Sequence, residues 1–73
     1  FVRNVLIAAG NSGDPALVGQ VRELARDPSP LVRGAAVWAL SRLLPQAEFA
    51  ALAATRPADE DAEVEIEWRR IAG

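Results

Sequence analysis

Seventy-three residues carrying a formal charge of −2 can build one small domain and leave no material for a second core. The chain holds neither cysteine nor histidine, which removes disulfides, thiolate nucleophiles, iron–sulfur ligation and the usual zinc ligands from it. No apolar run approaches the roughly 20 residues of a membrane span and no basic-then-apolar leader opens the chain, so a soluble module of cytoplasmic origin is the expectation.

The first helix is predicted over residues 2 to 10, with Val2, Val5, Leu6 and Ala9 on one face. The run Gly10-Asn11-Ser12-Gly13, tolerant of positive φ, is its expected stop. Asp14 then caps and Pro15 opens a second helix over residues 15 to 26, with Leu17, Val21, Leu24 and Ala25 as its core stripe. Asp27-Pro28-Ser29-Pro30 leads into a third helix over residues 30 to 44, around which the rest is organised. Val32, Ala36, Ala39, Leu40 and Leu43 fall at helical spacing on one side of it, and Leu31, Ala35 and Trp38 make a second apolar stripe. Apolar over most of its circumference, this helix is expected to be covered on both sides.

Pro45 breaks the pattern, and residues 46 to 54 form a short alanine-rich helix with Phe49, Leu52 and Ala53 inward. In the last stretch Val64, Ile66 and Trp68 alternate with Glu63, Glu65 and Glu67 as an exposed strand would, but such a strand would have no partner. A helix over residues 59 to 72 is the better reading. Asp59 caps it, Glu60 and Asp61 suit the positive end of its dipole, Arg69 and Arg70 the negative end, and Val64, Trp68 and Ile71 fall at i, i+4 and i+7.

Val2 to Ala9 aligns with Val32 to Ala39 at a period of 30 residues, and the last helix enters the same register at Val64, after 32. Helix pairs at such a period build a solenoid, here one all-α superhelix fragment of about five helices over residues 1 to 73. The second helix pairs with the third and the fourth with the fifth, while the first stands without a partner. Its face, Val2, Val5 and Leu6, is therefore expected to lie partly uncovered, where it would fray or support a non-native dimer.

The residues Asp27, Pro28, Val32 and Arg33, followed by Ala35, Ala36, Ala39 and Leu40, resemble the short HEAT-like repeat, in which a D-P-x-x-x-V-R turn precedes A-A-x-A-L. Two longer segments, RNVLIAAGNSGDPALV (Arg3 to Val18) and DPSPLVRGAAVWAL (Asp27 to Leu40), are similar to the C-terminal HEAT-like region of bacterial epoxyqueuosine reductases. These are oxidoreductases that complete the queuosine nucleoside in tRNA. The resemblance implies a parent enzyme whose catalytic domain, with two cysteine-ligated four-iron clusters and cobalamin, lies upstream. It also implies that this region is a noncatalytic module, itself without cofactor, that contacts the upstream domain and helps hold tRNA. A chain that starts at Phe1 and lacks methionine fits the expectation of a piece of a longer protein. The third repeat departs from the pattern, with Glu65 where Arg3 and Arg33 stand. A HEAT-like scaffold for protein partners, with no nucleic-acid role, is the alternative.

All eight cations are arginines, five against three acids in residues 1 to 45 and three against seven acids beyond. Arg3 and Arg33 repeat in register and form a candidate two-rung ladder for tRNA phosphates, with Arg42 beside it. Against this stands pairing of each with an acid in the turn of its own or the next repeat, Asp27 being the obvious one. Asn11, with Ser12 and Gly13, could offer donors to a phosphate before the second helix or simply end the first. Trp38 and Trp68 are expected in the core, although Trp38 could also stack on an unpaired base. The acids from Asp59 to Glu67 lack the glycine and loop of a calcium site and any neighbouring nucleophile, and are expected to form a solvated outer face. No catalytic or metal residue is assigned.

Overall fold

The structure is a computed structural model that describes residues 2–72. Its helices are α1 (Val2–Ser12), α2 (Val18–Leu24) preceded by a 3-10 turn (Pro15–Leu17), α3 (Pro30–Leu43), α4 (Gln46–Thr55) and α5 (Ala62–Ala72). The fold is all-α and no strand forms among the described residues. α1 and α5 flank α3 and pack on it from either side, while α2 lies against α3 and α4 against α3 and α5. The result is two layers, with a short dimension of 17 Å, about the thickness of two packed helices.

Local chemistry sets each boundary. Gly13 at φ 66° supplies the left-handed residue that stops α1, and Ser12 Oγ donates to the Ala9 carbonyl (2.6 Å) while accepting from Asp14 N–H (3.2 Å). The helix thus runs two residues past Gly10, which does not end it. Asp14 caps as expected, Oδ1 accepting from Ala16 N–H at 2.9 Å. The segment it opens begins as a 3-10 turn, and α2 ends at Leu24 instead of residue 26. Pro30 occupies the first turn of α3, and Leu44 goes extended before Pro45, the conformation that the following proline ring favours. Arg56 does the same before Pro57 at the end of α4. Asp61, not Asp59, starts α5: its Oδ1 accepts from Glu63 N–H (2.9 Å) and Val64 N–H (3.3 Å). Asp59 is engaged elsewhere, so α5 begins three residues later than the acid pattern implies.

Four of the ten buried apolar residues, Ala36, Val37, Ala39 and Leu40, belong to α3, which confirms it as the centre. Leu6 and Ala9 reach them from α1, Val21 from α2, Phe49 from α4, and Val64 and Trp68 from α5. Trp68 closes the last pair by stacking on Phe49, centroids 5.4 Å apart and rings 20° from parallel. Of the second α3 stripe, Ala35 and Trp38 pack against the core but Leu31 is 76% exposed, while Val37, on neither predicted stripe, is buried. Val2 and Val5 are exposed as anticipated, whereas Leu6 is wholly buried against α3.

Gly10 is buried within α1, and a Cβ there would meet Trp38 Cζ3 at 2.6 Å. Gly34 in α3 has open space in the same direction. The two substitutions have opposite signs. Gly10→Val forces the indole aside and lowers stability by about 1–3 kcal/mol, while Gly34→Ala raises it by about 0.5–1 kcal/mol through helix propensity. Urea midpoints at constant m-value give both.

Candidate nucleic-acid interface

Arg33 sits in the first turn of α3, where its side chain reaches back over the turn it follows. Its Nη1 donates to the carbonyls of Asp27 and Pro28, both at 2.9 Å. Nε and Nη2 form a bidentate pair with Asp59, at 2.9 Å to Oδ2 and 3.1 Å to Oδ1. One guanidinium therefore ties the turn before α3 to the turn before α5, with both side chains largely buried, 12% and 14% exposed. Asp59 in addition accepts from Asp61 N–H at 2.9 Å.

The third repeat reverses the charges. Glu65, at the register position of Arg33, pairs with Arg56 and accepts from Asp59 N–H at 2.8 Å. Arg56 lies over the Trp68 ring, its guanidinium carbon 4.7 Å from the centroid. The hydrogen bonds from Arg33 hold Asp59 below the ordinary carboxylate range against the opposing effect of burial. Those from Arg56, then from Asp59 N–H, do the same for Glu65.

A turn of the Asp-Pro-x-x-x-Val-Arg kind, its arginine clasping the next turn, is the local geometry of a stacked helical repeat. The sequence profile of the family described as HEAT repeats matches residues 2–69. The chain belongs to the HEAT repeat family. No curated protein and no solved structure matches it.

In this HEAT repeat chain the Arg3/Arg33 ladder does not form as two equivalent rungs. Arg33 is consumed by the clasp, whereas Arg3 is exposed and makes no ion pair among the described residues. The difference lies in the acid available to each. The clasp on Arg33 uses Asp59, while Asp27, the acid one turn earlier, directs Oδ1 to Ser29 N–H (2.9 Å). Asn11 is exposed in the last turn of α1, and Ser12 closes that turn instead of presenting its hydroxyl to a ligand.

Arg3 lies on the rim of a groove of about 450 Å³ across α1, α3 and α5. Ile7, Leu31 and Trp38 line it, and Glu63 and Glu67 form the opposite rim. Trp38 is half-buried, less than the core position expected of it, and Arg42 places its guanidinium carbon 5.9 Å from the ring centroid. The i, i+4 spacing of Trp38 and Arg42 is the signal for that pair. The other face carries a second groove, where Arg22, Arg26, Arg33 and Arg56 converge. Arg22 stands on α2 and Arg26 in the turn that follows it, and the approach of Arg56 to them depends on tertiary packing.

Among the described residues no group of acids is placed to hold a metal, and no helix is long and apolar enough to cross a membrane.

The clasp has a pH signature. Asp59 and Glu65 titrate lower in the folded chain than in the unfolded one, where carboxyls bind protons near pH 4. The unfolded state then binds more protons as pH falls, so their contribution is complete above about pH 5 and is lost below pH 4. Thermal melts at pH 7 and pH 3 should show a lower Tm at pH 3 for the native chain. Asp59→Asn should start lower at pH 7 and drop less; equal drops would place the acid sensitivity elsewhere.

Proposed function

We propose that this HEAT repeat module is a noncatalytic, tRNA-assisting part of an epoxyqueuosine-reductase-like protein, acting through the α1–α3–α5 groove. The resemblance of Arg3 to Val18 and of Asp27 to Leu40 supports the parent and the RNA. The observation that carries the site is the half-exposed Trp38 with Arg42 over its ring, next to a groove rimmed by Arg3. A guanidinium beside an accessible indole suits a phosphate and an unstacked base together. Arg3 and Arg42 are the phosphate contacts in this reading, Asn11 a flanking polar contact, and Arg33 a positioning residue. Two phosphates neutralised correspond to a salt slope of about −1.8 at most, so the module assists a larger surface and does not hold tRNA alone.

The iron–sulfur clusters and cobalamin of that reading belong upstream. Lacking cysteine and histidine, this chain supplies no ligands that fit the clusters. The acidic rim of Glu63 and Glu67 and the exposed Leu31 favour a second reading, in which the groove docks a protein segment.

Amide-shift titration of the labelled chain with a queuosine-type tRNA anticodon stem-loop, at low and moderate salt, tests the proposal. Salt-sensitive shifts at Arg3, Asn11, Trp38 and Arg42, lost in Arg3→Ala/Arg42→Ala and absent at the Arg33 guanidinium, are expected. No shift up to millimolar RNA would overturn the RNA reading and leave the protein-docking one.

A further inference from the structure

Leu31 is the most exposed large apolar side chain among the described residues, at 76%. It begins a stripe with Gly34, Ala35 and Trp38 at i+3, i+4 and i+7, and all four line the α1–α3–α5 groove. A second stripe stands beside it on α5. Glu63, Glu67 and Arg70 fall there at i, i+4 and i+7, with Ile66, 52% exposed, next to them. Glu63 and Glu67 line the same groove. Arg70 pairs with Glu67 of its own helix and stays 62% exposed, and Glu63 makes no ion pair among the described residues.

Each stripe complements its own reverse. Leu31 and Trp38 are equidistant from the point between Gly34 and Ala35, and Glu63 and Arg70 from the point between Ile66 and Glu67. Those two centres stand 32 residues apart, the offset that brings α3 and α5 into register, so they lie at one level of the layer. A two-fold axis through that level lays a second copy on the first with its helices reversed. Leu31 then covers the second copy's Trp38 and Glu63 faces its Arg70, each contact being made twice. Glu67 falls near the axis, where Arg70 of its own helix offsets its charge. Small residues occupy the crossing point: Gly34 has open space where a Cβ would stand, which lets the two α3 backbones approach. The broad face of the chain extends 28 × 27 Å, close to the about 800 Å² per partner that a standard interface buries.

We infer that the α1–α3–α5 face pairs with a second copy of this chain about this two-fold axis, Leu31 against Trp38 and Glu63 against Arg70 across it. An apolar patch whose charged ends are of opposite sign is self-complementary when reversed, which is what an isologous dimer requires. Val2 and Val5, the α1 residues that the sequence alone suggests for a dimer, do not line this groove and take no part. The pairing covers Trp38 and the groove that Arg3 rims, so a chain in the dimer is closed to RNA and the two equilibria compete. The inference does not rest on the RNA reading.

Sedimentation velocity from roughly 10 µM to 1 mM, the span over which weak association shows, is the test. A reversible monomer–dimer equilibrium is expected, with isotope-filtered Overhauser contacts between Leu31 methyls and the Trp38 indole in a mixture of labelled and unlabelled chain. Leu31→Glu should weaken association by about tenfold or more while leaving the melt of the dilute chain unchanged, because residue 31 faces solvent in the monomer. Glu63→Arg should weaken it too, and Glu63→Arg/Arg70→Glu should restore it, since the swap returns both pairs. A monomer at every concentration, association that survives Leu31→Glu, or association lost in Val5→Glu instead would overturn the inference. Stem-loop shifts at Arg3, Trp38 and Arg42 in a chain that stays monomeric would sink this inference alone, whereas dimerisation without any stem-loop shift would sink only the RNA reading.

Discussion

Four hydrogen bonds from a single guanidinium hold the two repeat turns of this chain at a fixed separation. Arg33 reaches the carbonyls of Asp27 and Pro28 on its own side and both carboxylate oxygens of Asp59 on the other. The apolar contacts of α3 could tolerate a slide of α5 along it, because hydrophobic burial has no preferred direction. The bidentate pair could not, since its geometry is satisfied in one register only. Asp59 also accepts from Asp61 N–H, and Asp61 in turn caps α5. The placement of the last helix is thus linked to the first turn of the central one by consecutive side-chain and backbone bonds. Repeats joined in this way are expected to lose structure together and not one by one.

The same network explains why charge and function part company here. An arginine in register with another looks like part of a binding surface when only the sequence is in view. In the folded chain Arg33 meets an acid two turns away and Arg3 does not, so one is a fastening and the other faces a groove. The reversal at Glu65 and Arg56 repeats the fastening with opposite sign and places a guanidinium over Trp68. Cations that make no ion pair among the described residues, including Arg3, Arg22, Arg26 and Arg42, divide between two faces, and any ligand chemistry must be assigned to one face or the other.

Elements governed by local rules could be placed from the residues alone. Asp14-Pro15 and Ser29-Pro30 mark helix starts wherever they occur, and the spacing of Ala36, Ala39 and Leu40 required a central helix whatever surrounded it. Trp68 was recognisable as an anchor because it shares a stripe with Val64 and Ile71. Features governed by the partner were not accessible. Leu31 and Val37 are both apolar but lie about 120° apart on the α3 wheel, and only the packing of neighbouring helices decides that the second is buried and the first exposed. Gly10 has the composition of a helix stop, but its role is to make room for a side chain 28 positions away. Asp59 and Asp61 are equivalent caps by residue type, and the presence of Arg33 takes the first of them out of competition.

The close approach of Trp38 to Gly10 also makes the two joints of the stack unlike. Between α1 and α3 an indole is wedged over a residue with no side chain. In register with Trp38, α5 carries Arg70, an exposed residue paired with Glu67 within its own helix, and in register with Gly10, α3 carries the fully buried Leu40. The first joint therefore has an aromatic spacer and the second has none. A change in the bulk of residue 38 therefore acts on the packing of α1 against α3, the side on which Gly10 leaves it room.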